Sequence, residues 1–305
     1  MGHSNSGAPS LEKVVAAAQL PALPQSAICL LELSQNPENG PGEFAAPIEA
    51  DLGLTGQVLR FVNSSYFGLA REVSSVRAAL SLVGVRTIKN FALWSAVFSL
   101  VPNPRCGPFQ LKSLWQDSLR RGLFARAMSR LMGLRDAEEA FSAALLQDIA
   151  VPLLAKAHPT VYQRLLDGRR QGAVRLSDLE RKVLGWTHAE AGALIARHWN
   201  LPPQFATLIA AHAVAAAELP RLATEPDKAA VALSALLPAS SDPYWVECPA
   251  LESGYRQLAP SGSPAVSEFL GQIDVQLKEF APVLKLAVPK KTLVEAFEEV
   301  EVTSS

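Results

Sequence analysis

The chain has 305 residues, 49% of them apolar and 19% charged, with a net charge of −1. That is ample apolar material for one large domain or two tightly joined ones, and it excludes a largely disordered chain. Near-neutral charge excludes bulk attraction to nucleic acid or an anionic membrane, no uncharged apolar run reaches the 18 residues of a membrane span, and three scattered cysteines (Cys29, Cys106, Cys248) exclude a zinc knuckle or disulfide framework.

The first ten residues, Met1 to Ser10, are small and polar and lack the basic start and apolar stretch of a signal peptide, so residues 1–10 read as a disordered lead. With unpaired thiols this suggests a cytoplasmic protein. Apolar residues then recur every three or four positions, which predicts helices over Leu11–Leu20 and Pro24–Leu33. A turn follows at Asn36–Gly42. Short helices are predicted over Phe44–Ala50 and Leu54–Val62, the second with Leu54, Val58, Phe61 and Val62 on one face. Ser75 suits the cap of a helix that Gly84 breaks, and Thr87–Val101 reads as a long buried helix. The pair of helices around Gly84 has only Arg86 and Lys89 as nearby basic residues, too few for a DNA-reading helix-turn-helix.

Pro102–Pro108 is the clearest internal boundary, because its prolines and glycine prevent regular structure. It divides an N-terminal helical lobe, residues 11–101, from a second helical lobe, residues 108–217. The second lobe is expected to contain helices over Leu111–Met132, Ala137–Leu154, Pro159–Gly168 and Ser177–Val183. Thr187-His188-Ala189-Glu190 reads as a capping box that opens a helix to Trp199, followed by another to about Ala217. Residues 218–305 form a C-terminal helical extension, with helices over Ala229–Leu237, Pro264–Phe280 and Lys291–Val300 separated by a loop rich in Pro, Ser and Gly. The last part is apolar enough to cover the second lobe or to mediate a homodimer. Strand signals are nearly absent, so the fold class is all-α.

No phosphate-cradling glycine loop, nucleophile elbow or HExxH motif is present. Four residues of the second lobe form a candidate group: Asp117, Asp148, His188 and His212. Each aspartate lies in an apolar helical run, where a carboxylate needs a cation, a donor or water. Two carboxylates and two imidazoles suit one divalent transition metal such as Mn, Fe or Zn. The wide spacing leaves plain structural roles open for all four. Arg120-Arg121 and Arg169-Arg170 read as solvated basic pairs.

Asn63-Ser64-Ser65-Tyr66-Phe67-Gly68, preceded by Ile48-Glu49-Ala50-Asp51 and followed by Val73-Ser74-Ser75-Val76-Arg77-Ala78-Ala79-Leu80-Ser81-Leu82-Val83-Gly84, resembles the HDOD family of bacterial signalling proteins. The resemblance covers roughly Leu11 to Ala217. It implies an N-terminal helical bundle leading into a lobe like that of the metal-dependent HD phosphohydrolases. By that resemblance Asp117 stands at the first histidine position, Gln147-Asp148 at the His-Asp pair, and His188 and His212 at the later histidines. The final aspartate has no match in Ala232–Leu236, so the ligand set is vestigial.

The resemblance therefore implies a non-catalytic output module for signal transduction. Its expected partners are signalling proteins of the response-regulator receiver or cyclic-dinucleotide enzyme class, with no nucleic acid and no membrane. Either no cofactor or one residual metal ion is expected, and the chain is expected to be a stand-alone output protein or part of a longer one. The alternative is a degenerate phosphohydrolase acting on a nucleotide or cyclic dinucleotide.

Overall fold

Seventeen α-helices and no strand make up the described residues, 10–304, of the computed structural model. The lead at Met1 to Ser10 lies, but for Ser10, outside them. The N-terminal helices are α1 (Leu11–Ala17), α2 (Gln25–Leu33), α3 (Pro41–Glu49), α4 (Leu52–Val62), α5 (Val76–Val83) and α6 (Val85–Leu100). Leu54, Val58, Phe61 and Val62 form the buried face of α4, as their spacing predicts. Helix α1 stops three residues earlier than the periodicity suggests. Gln19 turns into left-handed backbone (φ 44°), and Pro21 and Pro24 follow.

The Asn63 motif closes α4. The Asn63 side chain clasps Val73 on both sides, Nδ2 donating to its carbonyl at 2.8 Å and Oδ1 accepting its N–H at 2.7 Å. Gly68 takes φ +57°, a conformation that costs a side-chain-bearing residue about 1–2 kcal/mol. The ten-residue excursion is thereby fixed, and Ser75, accepting from the Ala78 N–H at 3.2 Å, caps α5. Phe61 stacks on Phe91 of α6 with centroids 4.1 Å apart.

The second lobe holds α7 (Leu111–Leu131), α8 (Glu138–Leu146), α9 (Ala150–Ala157), α10 (Pro159–Gly168), α11 (Leu176–Leu184), α12 (His188–His198) and α13 (Pro203–Ala211). Then come α14 (Pro226–Ser234), α15 (Cys248–Leu258), α16 (Val266–Phe280) and α17 (Leu293–Ser304). Helix α7 is the spine: α8, α14 and α16 pack against it. Phe280, at the end of α16, meets both Phe61 of the first lobe and Phe141 of α8. The span Glu138–Ala157 is long and apolar enough to cross a membrane, but 89% of its apolar window is buried inside the protein, so it is core.

Three differences from the sequence expectations matter. The helix predicted over Ala137–Leu154 breaks at Gln147–Ile149. Pro152 has no N–H to offer the Asp148 carbonyl, which accepts instead from Val151 at 3.0 Å, and the chain tightens there. The helix predicted to reach Ala217 ends at Ala211, because the Arg175 guanidinium takes the carbonyls of His212 (2.9 Å) and Val214 (3.1 Å). Within the expected Pro/Ser/Gly loop, Cys248, Leu251, Tyr255 and Leu258 form the buried stripe of α15, with Pro249 in its first turn.

Candidate metal centre

Three of the four candidate residues meet at one point. Asp148 sits in the break between α8 and α9, where the tightened chain turns its carboxylate toward α12 and α13. His188 is the first residue of α12, placed by the Thr187–Glu190 capping box, in which the Thr187 N–H donates to Glu190 Oε2 at 2.8 Å. His212 caps the C-terminus of α13 rather than lying inside it. His188 Nε2 lies 3.3 Å and His212 Nε2 3.7 Å from Asp148 Oδ1, and the two Nε2 atoms are 2.9 Å apart. All three residues are buried. Gly192 of α12 allows this approach of the helices, since a Cβ there would meet Ile209 of α13 at 2.9 Å.

The outer nitrogens are already committed. His188 Nδ1 faces Glu180 Oε2 at 2.5 Å, and His212 Nδ1 faces the Ile209 carbonyl at 2.6 Å. Both partners accept only, so each Nδ1 carries the hydrogen and each Nε2 points a lone pair inward. Two imidazole lone pairs at 2.9 Å, beside a carboxylate oxygen, repel unless a cation or a proton lies between them. A His₂-carboxylate set with its outer nitrogens held by a carboxylate and a carbonyl fits one transition metal ion.

Glu180 was missed by the sequence reading and is fully buried, at 0% exposure. Its Oε1 accepts the Tyr162 hydroxyl at 3.0 Å, and its Oε2 also accepts the His188 backbone N–H at 2.7 Å. The inward face of α11 is Ser177, Glu180 and Leu184, whereas Val183 is exposed. The charged run Asp178-Leu179-Glu180-Arg181-Lys182 reads as solvated, and only the spacing of Glu180 from Ser177 and Leu184 marks it as inward.

Asp117 lines the same cavity but stands apart from the three ligand atoms. Its Oδ1 accepts the Ser240 N–H at 2.8 Å, and burial raises its pKa against the pull of Arg121 and Arg120. Gln147, the amide of the degraded pair, turns to Ser234 instead, accepting its hydroxyl at 3.4 Å. Of the two basic pairs only Arg170 is exposed as a solvated pair would be. Arg120 is buried and donates to the Lys291 carbonyl at 2.9 Å, Arg169 pairs with Asp242, and Arg121 pairs with Asp148 Oδ2. An arginine one turn along α7 from Asp117 thus fills the space between the two carboxylates. Burial works to raise the Asp148 pKa, but Arg121 and the two histidines hold it well below the usual carboxylate range.

Burial opposes a charge on His188, yet Glu180 and Asp148 lift its pKa to about 9, while burial and the His188 charge push His212 down to about 3. Without metal, His188 is therefore the cation of the cluster. Its raised pKa stabilises the fold below about pH 6.5, and that contribution is lost as pH rises toward 9. The depressed pKa of His212 stabilises above about pH 6.5, and that contribution is lost as pH falls toward 3. A metal ion must displace the His188 proton but none from His212. Affinity for Mn²⁺ or Zn²⁺ is accordingly expected to rise about tenfold per pH unit from 6.5 to 9, with one proton released. Titration calorimetry in buffers of different ionisation enthalpy counts that proton, and a release of none or two contradicts the assignment.

The cluster opens on a cavity of about 480 Å³, lined also by Arg169, Arg170, Arg175, Tyr244 and Glu247. The chain belongs to the HDOD domain family, whose model matches residues 20–215. An uncharacterised protein of Treponema pallidum (strain Nichols) is 25% identical over 194 residues, which are 63% of this chain; the match spans 37% of that relative's length. An HDOD domain protein of unknown function from Geobacter sulfurreducens shares the fold with a TM-score of 0.68 at 20% identity, over 91% of this chain and 99% of the other. A candidate phosphohydrolase from Shewanella amazonensis SB2B shares it with a TM-score of 0.62 at 22% identity, over 96% and 98%. At these identities the structural likenesses establish the fold alone, an N-terminal helical lobe joined to an HD-like lobe.

Proposed function

We propose that the chain is a regulatory output module for signal transduction, whose HD-like cleft holds at most one metal ion and binds without hydrolysing. The observation that carries this reading is the Arg121–Asp148 ion pair. A two-metal phosphoesterase holds its ions about 3.5–4 Å apart and needs carboxylate oxygens for both. Here one oxygen of Asp148 faces the imidazoles and the other is taken by a guanidinium. Asp117 is tied to a backbone N–H, and Gln147 and the Ala232–Leu236 stretch supply no further carboxylate. Arg121 then stands as a permanent cation where a second ion would need its ligands. The cleft and the helical faces around it would receive a signalling partner or a small ligand, with receiver domains or cyclic-dinucleotide enzymes as the proposed partner classes.

The cavity in front of the triad favours a second reading, a single-metal phosphohydrolase acting on a nucleotide or cyclic dinucleotide. A bound ion would supply a water acidified toward neutral pH. Asp148, His188 and His212 would hold it, and Arg169, Arg170 and Arg175 would face a phosphate. Turnover separates the two readings. With saturating Mn²⁺, bis(4-nitrophenyl) phosphate and cyclic dinucleotides should be hydrolysed no faster than by an Asp148→Asn variant. Turnover that vanishes in that variant would establish the hydrolase instead.

A further inference from the structure

A second cavity, of about 280 Å³, lies between α4, α6, the first turns of α7 and the chain around Leu284–Leu286. Its wall is aromatic. Trp94 and Phe98 have centroids 4.3 Å apart, and Phe98 stacks on Trp115 at 3.8 Å with 26° between the planes. No acidic side chain lines it, whereas Arg60 and Lys285 do. Both are exposed, and neither has an ion pair among the described residues.

Two features at this wall lack an explanation from folding. Trp94 is only 4% exposed, and its indole N–H has no acceptor among the described residues. A buried donor left unmet is costly, and native proteins rarely keep one without a reason. Lys285 holds left-handed backbone, φ +55°, at the end of the Ala281–Leu284 turn, a position where glycine is easier. The turn thus keeps a long cationic side chain at the mouth of the cavity despite the backbone penalty.

We infer that this cavity binds a small planar aromatic carboxylate of one or two fused rings. The aromatic wall supplies a stacking surface for the ring. Arg60 and Lys285 supply charge-assisted donors to the carboxylate, and the ring packs against the Trp94 and Phe98 side chains that line the cavity. The volume lies at or below the small end of ligand sites, about 300–1,000 Å³, too little for a dinucleotide. The lining residues come from the first lobe, from α7 and from the C-terminal chain, so occupancy would hold those three together. The site is separate from the Asp148 cluster, and the inference does not depend on whether that cluster binds a metal.

The test follows indole N–H signals of the full chain by nitrogen–proton correlation NMR. The five tryptophans give five indole signals, and Trp94→Phe identifies the one that belongs to Trp94. Indole-3-acetate should shift that signal saturably, and its neutral amide should bind at least about tenfold more weakly. Arg60→Ala with Lys285→Ala, both surface changes, should weaken indole-3-acetate by about tenfold or more. Arg170→Ala, at the rim of the other cleft, should leave it unchanged. No shift up to about 10 mM, equal affinity for the amide, or dependence on Arg170 rather than Arg60 would each overturn the inference.

Discussion

Glu180→Ala is expected to cost about 3–5 kcal/mol of unfolding free energy at pH 7, the range for removing one partner of a buried charged pair. The carboxylate is fully buried and meets three donors: the Tyr162 hydroxyl, the His188 backbone N–H and His188 Nδ1. Truncation leaves all three without that acceptor at a fully buried position. It also removes the leading favourable influence on the His188 charge, so the His188 pKa falls. Glu180→Gln keeps an acceptor for the histidine and an amide for the phenol, and should recover much of the loss. Because Glu180 also orients His188, metal affinity should fall about 10–100-fold in the alanine variant. Denaturant unfolding and metal competition titrations measure both. A stability loss under about 1 kcal/mol would mean that Glu180 is far better hydrated than its burial indicates.

Arg121→Met should have opposite effects on the metal-free and metal-bound forms. Without metal, Asp148 Oδ2 loses its ion pair and Asp117 loses the cation that most favours its charge, so a loss of about 3–5 kcal/mol is expected. With metal, both oxygens of Asp148 become available and the electrostatic competition from the guanidinium is gone. Affinity for Mn²⁺ or Zn²⁺ should then rise at least about tenfold, and metal should restore much of the lost stability by mass action. Unfolding curves with a chelator and with excess metal read both effects. Weaker metal binding in this variant would show that Arg121 holds Asp148 in its ligating position rather than competing for it.

The first lobe was legible in the sequence because its core follows simple periodicity. The stripe Leu54, Val58, Phe61 and Val62 is the buried face of α4, and the Asn63, Gly68 and Ser75 signals act through the backbone bonds that their chemistry allows. The candidate site was legible only in part. Asp148, His188 and His212 stood out as acids and imidazoles in apolar or capped segments, and the fold brings them together. Asp117 stood out for the same reason, yet its partner is the Ser240 backbone, 123 residues away in sequence. Nothing local encodes that contact.

Arg121 and Glu180 stayed hidden for a shared reason. Charged residues amid other charged residues read as solvated, and burial of such a residue becomes tolerable only when a partner from a distant helix is in place. Here the two oppositely charged residues flank the same histidine–aspartate pair, Glu180 on His188 and Arg121 on Asp148. The break at Gln147–Ile149 was similarly obscured. The apolar run continues through it, and only Pro152, four residues after Asp148, marks the lost hydrogen bond.

The metal content of the purified, untagged protein tests the account most directly. Elemental analysis after saturation with Mn²⁺ or Zn²⁺ and desalting should find at most one ion per chain, absent from Asp148→Ala. Two ions per chain in the native protein would contradict the assignment of Arg121 as the fixed second cation.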